Sequence, residues 1–473
     1  MSPFVRFFSY LSLPFILTSV AFTSSASVTE EAEMLMKTGE PAKAVQLLKK
    51  IKSEKPKDSS IPMLLGDCYV AMDSNRQAIA AYREAQKKGN NDAWLSLARL
   101  AISEYRIQDA DEDIELYRKG LKKGRKTLPD NSGELDDILT RTRNMLDRVE
   151  KIVIIDSISV DEKDFFKFYK MSRDCGRLSS PSAIPSGFKA ADQSVVYNSP
   201  DGVEMIWAVE DSKMNIGLVS STQLYGGEWE SPTPLGDQLN EGGDANYPFM
   251  MSDGVTLYFA NDGENSLGGY DIFITRRNSD GVFLQPQNIG MPYNSPFNDY
   301  MLAIDEQTGV GWWATDRNRI PGKVTIYTFI PSDMRVNYDV NEPNLAAMAR
   351  IDSFKDTWPA DADFTKLKNR MSRNATESSS QRIGEFLLSI PGKVVYTTFK
   401  NFSNPDAAML MRQYLDDEKL CDELSKRLID MRERYRNGDT GLSDEIIRTE
   451  KDIAKRQKAL KALRNKVIKT ENL

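Results

Sequence analysis

Ser252-Asp253-Gly254-Val255-Thr256-Leu257-Tyr258-Phe259-Ala260 decides how the middle of this chain is read, because it echoes Pro200-Asp201-Gly202-Val203-Glu204-Met205-Ile206-Trp207-Ala208, 52 positions earlier. A looser third copy keeps Trp312-Trp313-Ala314-Thr315-Asp316 in the places of Tyr258-Phe259-Ala260-Asn261-Asp262, now at an offset of 54, with Thr308-Gly309 standing in for Asp-Gly. Ile326-Tyr327 likewise takes the places of Ile272-Phe273. The connecting segments repeat too: Gly227, Trp229, Pro232, Leu235, Gly236 and Asn240 return 54 positions on as Gly281, Phe283, Pro286, Ile289, Gly290 and Asn294. Asp-Gly supplies the positive backbone dihedral of a hairpin turn, and the flanking alternation of aromatic and aliphatic residues gives each strand a buried face. A period near fifty with several strands per unit is that of small sheets packed side by side, as in propeller blades.

On these residues the central region resembles the WD40-like PD40 propeller repeats of bacterial envelope proteins. Asp253 to Phe273 is the fullest copy, with Gly269-Tyr270-Asp271-Ile272-Phe273 as its second strand. The resemblance implies a β-propeller over residues 150–400. Three copies fall short of the four blades a closed ring normally needs, so Lys151-Ile152-Val153-Ile154-Ile155 before the array and Gly392-Lys393-Val394-Val395-Tyr396-Thr397-Thr398 after it are expected to complete it.

A shorter period lies upstream. Ala44, Leu48 and Ile51 recur 34 positions on as Ala78, Tyr82 and Ala85, and Leu65, Gly66 and Tyr69 precede the second set at the spacing of a helical pair. A third unit fits with Trp94, Leu97, Ala98, Ala101, Ala110 and Tyr117, its register slightly short. This pattern resembles the tetratricopeptide repeat, a period-34 pair of antiparallel helices whose small residues let the pair approach closely. It implies a helical solenoid over residues 29–149, with Ser132 to Val149 as its cap.

From Ala407 the period is again helical. Tyr414, Cys421, Leu424, Leu428, Met431 and Tyr435 form one stripe, and Ile446, Thr449, Ile453, Leu460, Leu463 and Val467 a second beyond Asn437-Gly438-Asp439-Thr440-Gly441. Two facing stripes around a glycine-rich break predict an antiparallel coiled-coil hairpin over 407–473. The whole is therefore expected to be a multidomain α + β chain: helical solenoid, propeller, helical hairpin.

At the N-terminus Arg6 precedes an apolar run from Phe7 to Phe22, followed by Thr23-Ser24-Ser25-Ala26. One positive charge, an apolar core and small residues make a secretory signal over 1–26, so export to the periplasm is expected. Its removal, taking Arg6 with it, moves the net charge from −7 to −8, which argues against general nucleic-acid binding.

Histidine is absent from all 473 residues, which excludes a Ser-His-Asp triad, a Cys-His dyad and a histidine-ligated zinc site. Paired carboxylates remain chemically open, but no pair has a spacing that singles it out, so neither a catalytic site nor a cofactor is assigned. Asn261-Asp262-Gly263-Glu264-Asn265 clusters oxygen ligands in one turn but lacks the spacing of a calcium loop, and a solvated turn fits it better. Cys68, Cys175 and Cys421 fall in three separate regions and do not form a disulfide framework.

Four residues are candidate contacts. Trp312 and Trp313, adjacent on a strand, point to opposite faces, so packing accounts for one of them and a ligand surface is open to the other. Lys455 and Lys458 lie in a final helix whose residues 442–473 hold nine Lys/Arg against five Asp/Glu, a solvated face or one for an acidic partner. The order of elements is similar to that of envelope proteins linked to secretion and outer-membrane assembly. It implies a non-enzymatic scaffold that meets envelope proteins through the solenoid groove, the propeller face and the coiled coil, which also offers a route to a homo-oligomer. The alternative is a propeller receptor for an envelope glycan or peptide.

Overall fold

Repeats that cannot bury an apolar face alone must stack, and both arrays do so in the computed structural model of the chain. It describes residues 25–125, 127, 132–224, 227–240, 242–278, 280–332, 334–369, 371, 386, 388, 390, 396–436 and 439–472. Residues 1–24, which hold most of the leader expected over 1–26, and the segment 391–395 lie outside these residues.

Three helix pairs come first: α1 (Ser25–Lys37) with α2 (Pro41–Glu54), α3 (Ser60–Ala71) with α4 (Asn75–Lys87), and α5 (Ala93–Ser103) with α6 (Ile107–Lys123), followed by α7 (Ser132–Leu146). Gly66 explains the close approach within the middle pair. A Cβ there would come within 2.3 Å of the Tyr82 ring, so only glycine lets α3 and α4 pack as they do. Ala44, Leu48, Leu65 and Cys68 form one layer of the core, and Ala78, Tyr82, Ala85, Leu97 and Leu100 the next. Burial pushes the Cys68 thiol up to about 12, so it packs as a small hydrophobe.

Three antiparallel sheets follow. The first has the order β2 (Arg177–Ser179), β3 (Val196–Asn198), β4 (Glu204–Glu210), β5 (Ile216–Thr222), β6 (Thr233–Pro234). The second is the meander β7 (Ala245–Met250), β8 (Thr256–Asn261), β9 (Asp271–Arg276), β10 (Gln287–Asn288). In the third, β11 (Asp299–Asp305), β12 (Val310–Thr315) and β13 (Lys323–Ile330) are joined by β1 (Val153–Asp161) from far upstream, paired from Val153↔Ile330 to Asp161↔Lys323. β11 packs against the second sheet and β7 against the first, around one shared core.

The sequence repeats reappear as repeated hydrogen bonds. Asn240 clamps both backbone groups of Leu218, Oδ1 accepting from N at 2.8 Å and Nδ2 donating to O at 3.0 Å. Asn294 does the same to Ile272 at 2.8 and 2.9 Å. Asp253 Oδ1 accepts from the N–H groups of Val255 and Thr256, both at 2.8 Å, while Gly254 adopts φ 62°, as an Asp-Gly turn requires. Bulges also match: the register shifts between Asn246 and Phe249 and, 54 residues later, between Tyr300 and Ala303.

Two expectations need correction. Among the described residues the sheets do not close into a barrel or ring: β1 adds to the edge of the third sheet alone, and Tyr396 forms an isolated bridge with Leu388, so these residues form three sheets where closure normally needs four. Trp312 and Trp313 are both buried, at 1% and 0% exposure, because the third sheet is covered on both faces. Trp312 lies in the shared core beside Tyr169, and Trp313 in a second one among Tyr293, Tyr327 and Phe329.

The last two helices, α10 (Pro405–Arg436) and α11 (Ser443–Glu471), pack against each other; α8 (Asp237–Asn240) and α9 (Leu345–Arg350) lie earlier in the chain. Met411 meets Val467 at one end, and Leu428 and Met431 meet Ile446 and Ile453 at the other, so the two helices run antiparallel. Arg427–Glu445 (2.6 Å) and Arg432–Glu450 (2.8 Å) tie their exposed flanks. Among the described residues no helix is long and apolar enough to cross a membrane.

Candidate interaction surface

The first helix of each pair carries a charged residue at matching places along the repeat. Glu33 on α1, Asp67 on α3 and Arg99 on α5 stand at successive repeats, 34 and 32 positions apart, and the fields of Glu33 and Arg99 both reach the Asp67 carboxyl. Glu33 and Arg99 are exposed and Asp67 is half-buried. Burial pushes Asp67 up to about 6; the Tyr82 hydroxyl, donating to its Oδ1 at 2.7 Å, and Arg99 oppose that rise, while Glu33 adds to it. A carboxyl in this state gains from a cation brought beside it, which would replace the hydration it has lost. The sequence reading did not single out these residues. The signal was present in their spacing, which is that of the repeat itself.

The opposite requirement, holding this surface in place, falls on the turns that end α3 and α5. Asp73 and Tyr105 adopt left-handed backbone there (φ 53° and 58°), and Ser74 N–H and Arg106 N–H reach back to the Tyr69 and Ala101 carbonyls at 2.8 Å. The sheet region reaches both turns. Arg319 donates to Val70 O and pairs with Asp73 at 2.9 Å, and Arg350 donates to Glu104 O at 2.7 Å. Each guanidinium thus sits at the negative end of a helix. Tyr105 enters an apolar seam with Val149, Leu267, Met291, Leu345 and Ala349. Arg335 fixes the exit from the stack by donating to Arg148 O at 2.8 Å and Ile289 O at 2.7 Å.

The four residues expected to make contacts are dispersed. Trp312 and Trp313 serve the cores of the third sheet, and neither indole is offered to a ligand. Lys455 and Lys458 both lie on α11, where Lys455 is exposed. The neighbouring Arg464 pairs with Asp201 in the first Asp-Gly turn, which brings the hairpin against the first sheet. Asp262 accepts from Asp244 N–H, just before β7, at 2.7 Å, and among the described residues no group of His, Cys, Asp or Glu is placed to hold a metal ion.

Stacked antiparallel helix pairs are the architecture of repeats that bind other proteins. Residues 35–100 match the tetratricopeptide repeat family, covering the end of α1, all of α2 to α4 and most of α5. No match to the chain was found among curated proteins.

Proposed function

We propose that this chain is a non-enzymatic scaffold of the bacterial cell envelope whose helical repeats capture a protein partner. The observation that carries the reading is the charged row Glu33, Asp67 and Arg99 on a stack that matches a family of protein-binding repeats. A helix or extended peptide with a cationic side chain opposite Asp67 and an acidic one opposite Arg99 complements it. The sheet repeats act as blades of a PD40-like array that braces the stack and presents a second face, and the helical hairpin works as a coiled coil that recruits or self-associates. Export rests on the leader pattern at 1–26, and the link to secretion or outer-membrane assembly on the likeness in element order. The receptor reading is weaker, since Trp312 and Trp313, one of which the sequence leaves open to a ligand surface, are both packed inside the sheets.

Affinity capture from crosslinked envelopes tests this. The chain without its leader is expected to recover a small reproducible set of envelope proteins, and a version lacking 407–473 to lose part of that set while both repeat regions stay folded by circular dichroism. Recovery of glycan or free peptide with no protein would overturn the scaffold in favour of the receptor.

A further inference from the structure

Between the helical stack and the sheets lies a cleft of about 600 Å³, a size that suits a small molecule. Among the described residues seven buried side-chain polar atoms lack a hydrogen-bond partner, and three of the seven belong to residues lining this one cleft: Asn75 Oδ1, the Tyr105 hydroxyl and Arg319 Nε. Tyr105 is only 4% exposed, and its hydroxyl, like the other two atoms, is shielded from solvent. Unpaired buried polar groups are rare in native proteins, and their gathering at one cavity marks a place where something else completes them.

The missing partner is specified by what is unpaired. Asp73, which lines the cleft, is already held by Arg319, and Glu104 by Arg106. What is left is mainly donor: the Tyr105 O–H and the Arg319 Nε–H, with the guanidiniums of Arg106 and Arg350 fixed alongside by their own acids. The one unpaired atom that can only accept is Asn75 Oδ1, since the Tyr105 hydroxyl can donate as well. We infer that the cleft binds a small oxyanion, a carboxylate or a phosphate, that accepts from Tyr105 and Arg319 and carries a hydroxyl or amino group to donate to Asn75. The site is separate from the charged row of the stack. Since one wall is the stack and the other the sheets, the ligand bridges the two and strengthens their docking.

Isothermal titration calorimetry and thermal melting on the chain without its leader test this with glucose 6-phosphate, D-glucuronate and, as a neutral control, D-glucose. At least one of the two anions is expected to give saturable heat and a raised melting temperature, and whichever does so names the oxyanion; glucose gives neither. Tyr105→Phe removes a hydroxyl that has no protein partner, so the ligand-free melting temperature should hold or rise while anion affinity falls at least tenfold. Arg319→Gln should weaken the anion similarly. Absence of saturable binding by both anions, equal binding of glucose, or binding that survives both substitutions would each overturn the proposal.

Discussion

Asp67 carries a carboxyl pushed up to about 6 from an ordinary value of 3.8, chiefly by burial. The folded state therefore holds a proton that the unfolded chain releases near pH 4, so this group's contribution to stability is greatest below about pH 4 and is lost as pH rises to about 6. Asp67→Asn keeps an acceptor for the Tyr82 hydroxyl but no longer titrates. Urea denaturation should show the variant gaining on the native chain as pH rises from 4 to 7, by roughly 1–2 kcal/mol once allowance is made for the water that still reaches the carboxyl. A difference flat with pH would contradict this assignment. At this scale the sequence was partly readable. Gly66 and Tyr82 declared themselves by spacing, and their contact explains why that spacing exists. Trp312 and Trp313 misled, because alternation on a strand says that the two point apart but not that both faces are covered.

The elements were more legible than their partners. A 34-residue period located the helix pairs, and Asp-Gly turns located β3–β4 and β7–β8. Recurrence of Asn240 and Asn294 in connecting segments has its cause in the clamp that each makes on the backbone of a strand. Asn294 is fully buried, so Asn294→Ala would strand the N–H and C=O of Ile272 and is expected to cost about 2–4 kcal/mol in urea denaturation. Asn240, half-buried, should cost less on the same substitution, and equal costs would argue that burial does not set the penalty. By contrast the pairing of β1 with β13 spans about 170 residues, and local pattern identifies a strand without naming its neighbour. Tyr435, the last member of the α10 stripe, is 43% exposed, since beyond Met431 there is little of α11 opposite to cover it.

For the whole molecule, the decisive contacts join regions distant in sequence. Arg319 and Arg350 grip the ends of α3 and α5 from about 250 residues away, and nothing in the helical pattern announces them. They orient the stack so that its charged row is carried on a braced body, and they enclose the cleft lined by Tyr105. Under the proposed function, this row is where a protein partner binds. The direct measurement is quantitative affinity capture from crosslinked envelopes by the native chain and by a Glu33→Lys, Arg99→Glu double variant, both changes lying at exposed positions that leave the core intact. Partner recovery at least tenfold lower, with an unchanged melting temperature, is the predicted result. The same proteins captured in equal yield by the variant would contradict it.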